Sequence, residues 1–126
     1  MASTRCYVGK RRTSTGQEWE VCHVVGRGRP FVLDPRHDLA NHSPDGFSWG
    51  FSGSGPAQLA LAILAHYFTN LDNRRAYTRK AAEHKALQLY QTFKAAVIAA
   101  MDQESDWTLT AADVDSGIAA AEGIMR

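Results

Sequence analysis

Residues Gly46–Leu64 read "GFSWGFSGSGPAQLALAIL": aromatics and glycines, then a proline, run straight into an alanine- and leucine-rich segment. That change of character marks a passage from extended chain to helix. Pro56 suits the first helical position, where its missing N–H leaves nothing unpaired. The sequence therefore places Gly55 at the N-cap, with Gln58 reaching back to the cap N–H as the second half of a capping box. From Pro56 to about Phe68 the helix is apolar nearly all the way round (Leu59, Leu61, Ile63, Leu64 and the alanines between them), the pattern of a buried central helix.

Ahead of this helix the chain reads as strands. "RCYVGKR" (Arg5–Arg11) and "EWEVCHVV" (Glu18–Val25) are rich in β-branched and aromatic residues, and Ser14, Thr15 and Gly16 between them supply turn chemistry. Trp19, Val21, His23 and Val25 share one face of the second strand. "GRGRP" (Gly26–Pro30) is a second turn, and "FVL" (Phe31–Leu33) a short third strand, which completes an antiparallel meander. "DPRHDLANHSPDG" (Asp34–Gly46) is a polar loop of a length that is often functional. "FSWGFS" (Phe47–Ser52) then predicts a brief strand or extended segment burying Phe47, Trp49 and Phe51 on one side.

Beyond the central helix, "TNLDNRRAYTRK" is a polar connection to a second helix from about Ala81 to Met101, where Leu87, Tyr90, Phe93, Val97 and Met101 recur at three- and four-residue steps. A last helix opens with Thr110 as N-cap and Asp113 three residues on, and carries Val114, Ile118 and Ala121 on one face, with Gly117 weakening it. The expected fold is α+β: one domain spanning residues 1–126, with a small antiparallel sheet of three to four strands from the N-terminal half packed on a buried central helix and flanked by two further helices.

Composition narrows the function classes. The 44% hydrophobic and 21% charged content is that of an ordinary globular chain, and a net charge of +1 gives no global electrostatic footprint for nucleic acid. Cys6 and Cys22 form neither a CxxC pair nor a ladder of spacings, so buried reduced thiols are expected rather than a metal ribbon or disulfide scaffold. The N-terminus has no apolar run behind its basic residues, and the longest apolar stretch is too short to span a bilayer, so the expectation is a soluble, cytoplasmic protein without membrane contact.

Three places carry candidate chemistry. At the glycine turn, the backbone N–H groups and the helix dipole converge on one point, the arrangement that holds an anion. Gly53, Ser54 and Gly55 would supply it, with Ser52, His42 and Trp49 lining it and Arg27 or Arg29 completing the charge. The phosphate-loop and nucleophile-elbow signatures both fail here, and the alternative is that Gly53 and Gly55 supply positive φ for a tight turn while Trp49 and Phe51 anchor the core. Asp34, His37, Asp38, His42 and Asp45 are metal-ligand types in one loop, yet the same residues bond turns to their own backbone, and no metal is expected. Basic groups at Lys10–Arg12, at Arg27 and Arg29, and in "NRRAYTRK" offer phosphate contacts, partly cancelled by Glu18, Glu20, Asp34 and Asp38. His23, His66 and His84 are scattered over separate elements.

The succession "HSPDGFSWGFSGSGPAQLALAIL", "LYQTFKAAVIAAM" and "WTLTAADV", with "YVGKR" near the start, resembles a small uncharacterised domain family of bacteria, phages and other mobile elements, whose core pattern is H-S-P-x-G-F-x-W-G-F/Y-x-G-S-G-P-A-x-L-A. "NRRAYTRKAAEH" looks like an insertion relative to that family. The resemblance implies a common fold and a genomic setting without a mechanism. With no nucleophile–base pair or paired carboxylates at a recognisable spacing, no catalytic residue and no cofactor are expected. The expected function is a non-catalytic interaction protein or binder of a small anionic ligand, acting as an accessory or anti-defence factor of a mobile element. The alternative is a compact nucleic-acid-binding domain using the basic turns.

Overall fold

The computed structural model describes residues 5–11, 20–44, 46–70 and 78–125. Trp19, the turn at Ser14–Gly16, Arg12, Asp45 and residues 71–77 lie outside them. Strands β1 (Arg5–Lys10), β2 (Glu20–Val25) and β3 (Phe31–Val32) form the expected antiparallel meander, followed by α1 (Ser54–Asn70) and α2 (Arg79–Phe93). A π-helical turn, Lys94–Ile98, extends α2, and β4 (Trp107–Thr110) leads into α3 (Ala111–Met125). The sheet order is β3-β2-β1-β4. The fold is α+β, and its fourth strand is "WTLT", which pairs antiparallel with β1 through Tyr7↔Leu109 and Gly9↔Trp107.

Strand alternation decides which residues meet the helices. Tyr7 and Gly9 on β1 and Val21 and His23 on β2 are buried on one face, while Cys6, Val8, Cys22 and Val24 stand half-buried on the other. Both cysteines are free thiols. One hydrophobic cluster joins Tyr7 and Val21 of the sheet to α1, α2 and α3, and Leu59, Ile63 and Phe93 in it are fully buried. Helix α1 is buried at almost every position, as its composition predicts. It lies along α2, which in turn meets α3. Among the described residues no helix is long and apolar enough to cross a membrane.

Three local expectations are corrected. The segment Phe47–Ser52 forms no strand and bends from Gly50 onward, and its three aromatics are not buried together: Trp49 is fully buried, Phe47 half-buried and Phe51 40% exposed. Trp49 donates from Nε1 to Ser105 O at 3.1 Å and meets Trp107 edge-to-face. On α2 the buried stripe is Ala82, Ala86, Leu89 and Phe93, and Leu87 is exposed, because the two alanines admit a close approach to α1 that a stripe through Leu87 would not. Helix α1 starts earlier than expected: Ala57 N donates to Gly53 O, so Gly53 rather than Gly55 precedes the first turn. Pro56 still fits, since the first-turn N–H groups have no helical acceptor.

Glycines at this corner serve packing. Neither Gly53 nor Gly55 has positive φ; a Cβ on Gly55 would stand 1.8 Å from Ser48 Oγ. Gly117 sits against Val97 and Phe93, where a Cβ would come within 2.6 Å, so α3 carries glycine to let it approach the π-helical turn. Thr110 and Asp113 make the predicted reciprocal cap, with Asp113 N donating to Thr110 Oγ1 at 3.1 Å and Thr110 N to Asp113 Oδ2 at 2.9 Å.

Candidate ligand cleft

The polar loop of residues 34–44 is held to α1 by one buried side chain. Gln58 has no solvent exposure; its Oε1 accepts from His42 N at 2.7 Å and Ser43 N at 3.2 Å, and its Nε2 donates to Pro35 O at 2.6 Å and Ala40 O at 3.0 Å. The predicted capping-box role for Gln58 is thereby replaced by a tertiary one. His42 adds a ring contact, its Nε2 lying 2.7 Å from Tyr90 Oη on α2. His37 donates from Nε2 to Ser43 O at 2.9 Å, and Asp34 Oδ1 accepts from Arg36 N at 2.8 Å. The loop's histidines and aspartates thus bond turns and neighbouring helices.

Residues named for the glycine-turn site are not all brought together. His42 reaches the first turns of α1 through Gln58, and Ser52 and Ser54 are exposed beside it. Trp49 is a core anchor. Arg27 and Arg29 lie elsewhere: Val25 stands opposite Arg5, and Arg5 Nη1 donates to Asn70 O at 3.3 Å, so the β2–β3 turn sits at the C-terminal end of α1. That is the far end of a 17-residue helix, about 25 Å long, from Ser54. At the other basic cluster, Lys10 and Arg11 pair with Asp106 and Glu104.

Chemistry concentrates instead on the other half of α1. The residues Ala62, Ala65, His66, Thr69 and Asn70, spaced on one helical face, form a wall opposite Leu33, Asp34 and Arg36, with Arg79 of α2 closing the side. They enclose a cavity of about 240 Å³. Arg36 has φ of 57°, the left-handed region, which costs a non-glycine residue about 1–2 kcal/mol. Its carbonyl accepts from Leu39 N at 3.0 Å, and its guanidinium donates Nε to Asp38 Oδ1 at 3.0 Å and Nη2 to Asp38 Oδ2 at 2.9 Å. Nη2 also meets Glu83 Oε2, which Arg79 Nε approaches at 3.4 Å. Arg36 hydrogen bonds hold both the Asp38 and Glu83 carboxyls below the usual carboxylate range. The fork is consumed on one side; Nη1 has no partner among the described residues.

Behind His66 the sheet contributes a polar cluster. The register Tyr7↔His23 puts both rings on the face that α1 crosses, and His66 completes the group: its ring centroid is 4.3 Å from His23, and its Nδ1 is 2.7 Å from Tyr7 Oη. Burial, then His23, then Arg5 depress His66 to about 4; burial and Arg5 lower His23 as well. Burial pushes the Tyr7 hydroxyl up, with Tyr67 adding to it. At neutral pH, then, a protonated Tyr7 hydroxyl shares a hydrogen bond with a neutral imidazole. His23 Nε2 and Arg5 Nε are enclosed without a hydrogen-bonding partner among the described residues. A buried guanidinium N–H left open costs stability that an acceptor oxygen would restore. His23 and His66 were legible only as isolated residues; the signal was one polar ring on each of two otherwise apolar faces.

No curated protein and no solved structure matches the chain. Residues 7–120, which include every element of the sheet and the cleft from Tyr7 onward, match a family of unknown function (DUF6166), and the chain belongs to that family.

Proposed function

We propose that this is a non-catalytic, cytoplasmic ligand-binding domain that takes a small molecule through its carboxylate or phosphate group in the cleft between α1, α2 and the loop at Leu33–Arg36. The observation that carries the reading is Arg36: a residue in a strained backbone conformation, its guanidinium held by two carboxylates, that lines a cavity together with Arg79 and His66. Strain of this kind persists where the surroundings over-determine it, and it concentrates at ligand clamps. Arg79 and the neutral His66 ring line the same space, and no nucleophile–base pair accompanies them among the described residues. Stoichiometric sequestration of such a ligand is how a small accessory factor of a mobile element would act.

The test is a ¹⁵N NMR titration with sulfate and with acetate. Both are expected to shift the Thr69 and Asn70 amides and the Arg36 Nε resonance. Arg36→Lys, which keeps the charge and loses the fork, should weaken binding at least tenfold while the melting curve confirms a folded protein. Absence of binding at millimolar anion, or shifts centred on Ser54 and Gly55 instead, would overturn the assignment.

A further inference from the structure

The cleft is bipolar. Its lining includes two arginines, Arg36 and Arg79, but also one aspartate, Asp34, and the apolar residues Leu33, Ala62 and Ala65. A simple anion in this cleft meets Asp34 as well as the arginines, and two like charges about 4 Å apart repel by roughly 1 kcal/mol in water and about 4 kcal/mol near a protein surface. A ligand with a cationic group beside its oxyanion turns that repulsion into attraction. Asp34 is free to supply it: Oδ1 accepts the Arg36 N–H at 2.8 Å, Oδ2 has no partner among the described residues, and the residue is exposed. Asp34 and Arg36 are two residues apart, and that hydrogen bond ties the Asp34 carboxylate to the same turn that holds the Arg36 backbone in its left-handed conformation.

Resting on the reading that the cleft binds an oxyanion, we propose that its ligand is a small zwitterion of the α-amino-acid type, with the carboxylate held by Arg36 and Arg79, the ammonium by Asp34, and the side chain against Leu33, Ala62 and Ala65. Size agrees: a cavity of about 240 Å³ has room for a compact metabolite. The cleft therefore selects its ligand by two charges of opposite sign, and loses most of its preference when either is removed.

The experiment compares amino acids with their deamino counterparts on the whole chain by NMR titration: L-alanine against propionate, L-leucine against 4-methylpentanoate, L-glutamate against glutarate. In at least one pair the amino acid is expected to bind tenfold or more tightly than its partner. In Asp34→Asn, which keeps the Oδ1 acceptor for Arg36 N–H, that advantage should shrink below threefold while the deamino acid binds no more weakly than before. Equal binding within every pair, or an advantage that survives Asp34→Asn, overturns the zwitterion proposal and leaves oxyanion binding standing. Failure of every probe, deamino acids and sulfate included, overturns both.

Discussion

Replacing Gln58 with alanine removes four hydrogen bonds at once and strands Pro35 O, Ala40 O, His42 N and Ser43 N. A net hydrogen bond is worth about 1 kcal/mol, and a buried group left unpaired costs about 1–3 kcal/mol. The stranded groups belong to a surface loop that water can reach once it lifts, which keeps the sum near the lower end: about 3–5 kcal/mol, or roughly a 2 M fall in the urea midpoint. Tryptophan fluorescence reports the transition, and hydrogen exchange at the His42 and Ser43 amides should lose its protection. Gln58→Glu separates the hydrogen-bonding role from the volume. It keeps the acceptor facing His42 N and Ser43 N but turns a carboxylate oxygen toward two carbonyls, so its folded pKa must rise. A raised carboxyl binds its proton more readily when folded, and the variant should gain stability as pH falls from 7 to 5, opposite to the parent. A loss below about 1 kcal/mol in Gln58→Ala, or a Gln58→Glu variant with the parent's pH profile, would refute the clamp.

The parent itself should lose stability on acidification. His66 is depressed to about 4 from 6.5 and His23 is lowered too, so between these values the unfolded chain binds protons that the native one refuses, and stability is lost as pH falls through that window. At about 1.36 kcal/mol per pH unit, discounted for the contact His66 keeps with solvent, the loss from pH 7 to 5 is about 1–2 kcal/mol by urea titration; a flat profile contradicts the buried, neutral pair. Gly9→Ala should cost about 2–3 kcal/mol by thermal melting, since its Cβ would lie 2.3 Å from the Trp107 ring and β4 would have to move; an unchanged melting temperature contradicts the close strand packing.

What the sequence revealed depended on how local the cause was. Helix α1, the N-terminal meander and the Thr110–Asp113 cap arise from residues within a few positions of one another, and their patterns were readable. Strand β4 was not: "WTLT" is four residues long, and its partner Tyr7–Val8 lies some hundred positions away, so neither periodicity nor turn chemistry announces it. Gln58 was misread for the same reason, its partners being 15 to 23 positions upstream rather than in its own turn. The cleft depends on long-range placements, the loop at Leu33–Arg36 and Arg79 of α2 meeting the Ala62–Asn70 face of α1, and the ring cluster behind it on the Tyr7↔His23 register. Arg36 gave no signal because its left-handed conformation is imposed by the loop's attachments and not by its own preference.

The sheet order β3-β2-β1-β4 also bears on how the chain comes into being. Strand β1 holds an inner position, yet one flank stays open until residues 107–110 have left the ribosome, long after its other neighbour β2 has been made. During synthesis the N-terminal hairpin must wait with one unpaired edge beside a long, almost wholly apolar α1, a combination that invites association with other nascent chains. Closure of the sheet is a late, long-range event that slows folding. A chain cut before Trp107 lacks more than its last helix; it leaves β1 as an edge and Gly9 without the ring that covers it.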